Sequence, residues 1–181
     1  MGFIHTLGSL AHELRTYCNS LGGELYNDSS IRNAIPIVKR YIGVDWKQYV
    51  SFCDNKYNRI KLPFTLENDE FEIFLICWKE GQETEIHKHP KGGCILKVLD
   101  GVLKEEIYQH KSNTKSSTKS NTQIYCGSRS LNNNSVSYID NKLGMHKVIN
   151  EDSNPERNPA LVDDEEPAIS LHIYSPPHFY D

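Results

Sequence analysis

The sequence predicts a mainly β domain, a small β-barrel preceded by α-helices. Three observations lead there. Apolar residues recur at helical spacing over positions 1–55. From 56 onward they fall instead into short strand-length runs separated by turn residues. The chain has 181 residues, enough for one domain spanning 1–181 with a core of its own.

In the helical part, Phe3, Ile4, Leu7, Leu10, Ala11, Leu14, Tyr17 and Leu21 repeat every three or four positions, which predicts a helix over 3–20. Gly22-Gly23 stops it. The opening Met1-Gly2-x-x-x-Thr6 also fits an N-myristoylation pattern, but the amphipathic helix accounts for the same residues. Asp28-Ser29-Ser30 caps a second helix reaching about Tyr41, which Pro36 bends or splits. Asp45 caps a short third helix through Trp46, Tyr49, Val50 and Phe52.

In the β part, residues 71–78 are an apolar, aromatic run of strand length. Residues 94–99 and 102–108 flank Asp100-Gly101, the signature of a tight hairpin because glycine tolerates positive φ. Further short strands are expected at 123–126, 136–139, 147–149 and 168–174. Residues 111–122 consist only of Lys, Ser, Asn and Thr, and residues 150–166 carry seven acids against one arginine. Both read as solvated insertions near 111–122 and 150–166, the first with nothing to bury.

Composition narrows the function classes. Twenty basic against 24 acidic residues give a net charge of −4, which argues against a nucleic-acid or anionic-membrane surface. The longest apolar run, Ile73 to Trp78, is six residues, too short to span a bilayer. No secretory signal opens the chain. The five cysteines are odd in number and form no C-x-x-C pair, so with no export signal reduced thiols and a cytoplasmic location are expected. A monomer is expected as well.

The chemistry concentrates around two of the eight histidines. Gly81-x5-His87-x-His89-x4-Cys94-x6-Gly101 places two imidazoles two residues apart, on one side of an extended chain, where they suit a single metal ion. This pattern resembles the first motif of the cupin family, with Cys94 standing where cupins carry a metal-binding glutamate. Gly144-Met145-His146-x3-Asn150 resembles the end of the second cupin motif, without its Pro-x-Gly portion. The resemblance implies a double-stranded β-helix with a metal inside and His146 as third ligand.

Loss of the carboxylate narrows the resemblance to the cysteine dioxygenase family, over residues 57–177. The pieces that carry it are Tyr57-Asn-Arg59, Ile76-Cys-Trp78, Ile86-His-Lys-His89, Cys94, Leu96-Lys-Val-Leu99 with Gly101, Leu103-Lys-Glu105, Ser137-Tyr-Ile139, Gly144-Met-His146 and Ser170-Leu-His172-Ile-Tyr174-Ser-Pro-Pro177. It implies Fe(II), Fe(2+), held by His87, His89 and His146, and oxidation of L-cysteine by O2 to the sulfinate. Three neutral ligands leave open positions for a thiolate, an amine and O2, and sulfur supplies the four electrons that O2 takes up. It further implies that Arg59 holds the substrate carboxylate beside Tyr57. The same resemblance implies that Tyr174 lies near the reacting oxygens with His172 supporting it, and that Cys94 forms a thioether with Tyr174. Trp78 either packs behind His172 or is a plain core aromatic. His5, His12, His110 and His178 read as background.

Three departures from the resembled pattern carry expectations. Gly93, where a larger polar residue is usual, gives a roomier pocket. Lys88 points away from the metal. The stretch of strand usual beyond Tyr174 is missing, so the barrel edge is less covered. Two other readings stand beside the first: a dioxygenase for another small thiol such as 3-mercaptopropionate, and a cupin that binds metal, zinc included, without catalysis. Arg59 argues against cysteamine, which has no carboxylate, and Cys94 favours cysteine over mercaptopropionate.

Overall fold

The computed structural model describes residues 2–21, 28–66, 70–110, 123–151 and 166–176. The glycine stop at 22–23, nearly all of the two polar insertions and His178 lie outside them.

The first helix, α1, spans Leu7–Ser20 and starts later than periodicity predicts. Thr6 is extended and its hydroxyl accepts the Ser9 N–H at 3.1 Å, so it closes the helix start. Ile4 is buried by a different route, pairing in parallel with Tyr41. The second predicted helix is two: α2 at Asp28–Asn33 and α3 at Ile35–Arg40, with Pro36 in the first turn of α3 where its missing N–H costs nothing. The third is a 3-10 turn, Asp45–Tyr49. Asp45 does not cap it. Its carboxylate accepts the Leu7 N–H at 2.8 Å and the Tyr41 hydroxyl at 2.7 Å, so it serves the start of α1 instead.

Eight strands follow: β1 Asn58–Lys61, β2 Glu72–Trp78, β3 Cys94–Asp100, β4 Leu103–His110, β5 Gln123–Leu131, β6 Val136–Ile139, β7 Met145–Ile149 and β8 Ala168–Tyr174. They form two antiparallel sheets, ordered β1-β2-β8-β3-β6 and β5-β4-β7. The predicted hairpin at Asp100-Gly101 is not one. β3 pairs with β6 and β8 while β4 pairs with β5 and β7, so the turn hands the chain from one sheet to the other. Gly101 has φ +74, and a Cβ there would sit 2.7 Å from the Pro167 carbonyl oxygen. The glycine signal reports the turn's backbone demand and is silent about which strands pair.

The run Ile73 to Trp78 is apolar at every position because β2 is covered on both faces. Ile76 and Trp78 point between the sheets, onto Leu96 and Val98 of β3 and onto Leu103, Leu131 and Val148 of the smaller sheet. Ile73, Leu75 and Cys77 point outward, against Leu7, Leu10, Leu14 and Val38 of the helices. Each aliphatic side chain buried this way contributes about 1.5–3 kcal/mol. The two sheets and the core between them make up the double-stranded β-helix of a cupin-type fold, joined through packing rather than one closed ladder. Lys97 of β3 is also buried on the helical side, and its ammonium donates to the carbonyls of Val38, Lys39 and Tyr41 at 3.3, 3.3 and 2.6 Å. It thereby satisfies acceptors left over at the end of α3. No helix among the described residues is long and apolar enough to cross a membrane.

Candidate active site

His87 and His89 lie on the irregular arm before β3, and His146 lies on β7. Residue 87 is bridged to β7 by two backbone bonds, His87 N to His146 O at 3.0 Å and His146 N to His87 O at 3.2 Å. The arm is therefore tethered to the smaller sheet without being a full strand. One ligand atom from each of the three imidazoles lies within 4.8 Å of the others. His87 Nδ1 contacts the Glu85 carbonyl at 2.8 Å and His146 Nδ1 contacts Glu105 Oε1 at 2.7 Å. With both Nδ1 atoms acting as donors, each Nε2 keeps a lone pair for a cation. Three neutral nitrogen donors fit a divalent first-row ion.

Glu105 sits behind His146 with no solvent contact. Its other oxygen accepts Arg129 Nε and Ser137 Oγ, each at 2.7 Å. Burial pushes this carboxyl up, but the hydrogen bond from His146, with the Arg129 charge and the Ser137 hydroxyl, outweighs it and holds the group below the usual carboxylate range. The carboxylate thus stays ionised and orients the His146 ring.

Ser170, His172 and Tyr174 alternate on β8 and share one face. Trp78 Nε1 donates to Ser170 Oγ at 2.8 Å, and Ser170 Oγ lies 2.9 Å from His172 Nε2. His172 Nδ1 lies 3.4 Å from the Tyr174 hydroxyl and 3.9 Å from Cys94 Sγ. The serine hydroxyl, accepting the indole N–H, can donate its own proton to His172 Nε2, an arrangement that puts the imidazole proton on Nδ1 facing Tyr174 and Cys94. Burial, with the positive charge of Arg59 adding to it, keeps His172 neutral. Burial likewise pushes the Tyr174 phenol well up, with Cys94 adding to it, and burial raises the Cys94 thiol. Trp78 satisfies both readings of it: it packs in the core and its ring lies 6.3 Å from that of His172.

A cavity of about 530 Å³ opens onto this face, lined by Tyr57, Arg59, His87, His172 and Tyr174. The Arg59 guanidinium lies over the Phe74 ring at 3.8 Å and 5.0 Å from the Tyr174 ring centre, while Tyr57 packs on Trp78 at 4.8 Å. Cys94 is buried beside Tyr174, its register partner across β3 and β8.

Lys88 is exposed and lies at the rim of the cavity. One expectation fails. Gly93 does not widen the pocket: at φ +85 a Cβ would meet the Ile139 carbonyl oxygen at 2.5 Å, so a side chain is excluded by backbone. His5, His12 and His110 are exposed, as background residues should be. Cys18 and Cys77 are buried in the core, whereas Cys53 and Cys126 are exposed. Glu105, Ser170 and Asn141 received no role from the sequence. Ser170 shared the alternation of 172 and 174 and was findable there; Glu105 lies 41 residues from the histidine it contacts and Asn141 lies 52 from His89, so spacing showed neither pairing.

The family described as cysteine dioxygenase type I matches residues 27–180. Cysteine dioxygenase type 1 of Rattus norvegicus is 35% identical over 133 residues, which cover 74% of this chain and 58% of that protein. The Bos taurus protein of the same name is 31% identical over 169 residues, covering 93% and 75%. The chain thus spans less than two thirds of the length of the rat relative. A cupin 2 conserved barrel domain protein from Leptotrichia buccalis aligns at TM-score 0.44 and 15% identity, over 71% of this chain and 45% of that one.

Proposed function

The chain belongs to the cysteine dioxygenase type I family, and we propose that it oxidises L-cysteine with O2 to cysteine sulfinate at Fe(II) held by His87, His89 and His146. Both oxygen atoms of O2 end on sulfur, R–SH + O2 giving R–SO2H, and sulfur loses the four electrons that O2 gains. No second reductant is needed. Bound Fe(II) would supply the one-electron chemistry that lets O2 react with a thiolate.

The observation that carries this reading is one cavity shared by a histidine of the metal triad, Arg59 and Tyr174. Arg59 offers a fixed guanidinium for the substrate carboxylate, which selects amino-acid thiols over plain amines. Tyr174 keeps its proton because burial raises its pKa, so the phenol can donate a hydrogen bond to a developing oxygen. His172 remains neutral and fixes that phenol, and Ser170 with Trp78 fixes His172. Cys94 occupies the place of a carboxylate ligand, and its thiol joins the Tyr174 ring as a thioether; formation removes two hydrogens, with O2 as oxidant. The chain works as one domain over 1–181, a monomer in the cytoplasm, in keeping with cysteines of which none is in a disulfide.

Anaerobic reconstitution with Fe(II), addition of L-cysteine and then of O2 tests this directly. One O2 should disappear per sulfinate formed. Iron-loaded protein that consumes no O2 with L-cysteine overturns the proposal.

A further inference from the structure

We propose that Asn141 is a positioning residue for His89, its side-chain amide replacing a backbone ladder that ends two residues earlier. The proposal rests on reading His87, His89 and His146 as metal ligands.

Residues 87 and 146 exchange both backbone hydrogen bonds. In an antiparallel ladder the next pair to do so would be 89 with 144. That pair does not form. Gly144 has φ +137, its N–H goes to the Asp140 carbonyl at 3.0 Å, and a Cβ there would lie 2.4 Å from the Tyr108 carbonyl oxygen. The turn is held in this shape by Asp140, whose Oδ1 accepts the N–H groups of Lys142 and Leu143 at 2.9 and 2.8 Å. The β6–β7 turn therefore takes residue 144 out of reach of the arm.

Asn141, at the tip of the same turn, supplies what the missing pair would have supplied. Its Oδ1 accepts the His89 N–H at 3.1 Å and its Nδ2 donates to the His89 carbonyl at 2.7 Å. A carboxamide presents the same donor and acceptor as a peptide; a carboxylate presents only the acceptor. The His89 ring centre lies 4.9 Å from that of His87 and 4.4 Å from that of His146, so a drift of the residue 89 backbone moves a ligand directly. One turn thus controls two ligands, His146 through the chain and His89 through Asn141. The asparagine itself is exposed, which makes it removable without opening the core.

The test loads metal-free protein with Co(II), whose visible spectrum reports ligand geometry, and compares the full chain with Asn141→Ala, Asn141→Asp and Lys142→Ala. Asn141→Ala should weaken Co(II) binding roughly 10–100-fold and alter the spectrum. Asn141→Asp, which keeps the acceptor and loses the donor, should fall between alanine and wild type. The metal-free Tm should stay within about 2 °C of wild type, as for an ordinary surface change. Wild-type affinity and spectrum in Asn141→Ala overturn the proposal. So does an affinity loss that Lys142→Ala reproduces together with a fall in metal-free Tm, because the turn would then act only as structure. If His146→Ala binds Co(II) as tightly as wild type, the ligand reading itself falls and this proposal with it.

Discussion

The carboxylate of Glu105 and the imidazole of His146 are joined by a 2.7 Å hydrogen bond, and neither side chain has meaningful contact with solvent. They meet because β4 pairs with β7, placing residue 105 opposite 148 and residue 107 opposite 146. Arg129 and Ser137 hold the second carboxylate oxygen, so the acid is fixed at both ends. Glu105→Gln keeps the shape and removes the charge. It should weaken metal retention about 10–100-fold, as loss of an outer partner of a metal-bound histidine commonly does. Competition with a chelator on the purified protein measures this; unchanged retention would leave Glu105 with a folding role only.

Arg59, the proposed partner of the substrate carboxylate, is held by β1, paired with Ile76 of β2, and by stacking on Phe74. Arg59→Ala removes a charge-assisted contact of about 1.5–3 kcal/mol, which corresponds to roughly 10–100-fold in KM for L-cysteine. Steady-state O2 uptake checks it, with cysteamine as the comparison. An equal loss toward both thiols contradicts a carboxylate-holding role.

Cys94 and Tyr174 face each other across the β3–β8 register, both buried. Aerobic turnover with iron and L-cysteine should lower the intact mass by two hydrogens as the thioether forms. Cys94→Ser should show no such change. A wild-type mass that never shifts rules the crosslink out.

Burial holds the Lys97 ammonium at a pKa of about 8 against its ordinary 10.5. Below pH 8 it is charged both folded and unfolded, and its contribution has no slope. Above pH 8 the unfolded chain keeps a proton that the folded chain has released, so this residue makes stability rise with pH, by at most about 1.4 kcal/mol per pH unit. Tyrosine ionisation intervenes near pH 10, which leaves pH 8 to about 9.5 as the useful window. The Tm difference between wild type and Lys97→Met should grow in favour of wild type across that window. A flat difference means Lys97 keeps its proton there.

Much of the site was legible in the chain because local geometry places it. His87 and His89 are two residues apart, as are Ser170, His172 and Tyr174, and extended backbone turns such residues to one side. The helix break at Pro36 and the length of β8 follow from equally local constraints. The Asp100-Gly101 turn marks where that kind of inference stops. Glycine there satisfies a positive φ, but whether β3 and β4 pair with each other or with other strands depends on partners dozens of residues away. Asp45 shows the same limit: a capping acid was readable, and the helix it serves was not.

By itself the sequence determined that this is a mainly β chain with a helical start, and which residues carry imidazole, thiol, phenol and guanidinium at spacings suited to metal and thiol chemistry. Only the tertiary structure decided what stands behind two of the histidines, Glu105 on His146 and Asn141 on His89, and that the Trp78 indole reaches His172 through Ser170. The physical reason is range. A φ preference or an alternation acts over a few residues, whereas a hydrogen bond between residues 41 or 52 positions apart exists only once strand pairing and turn packing have brought those residues together.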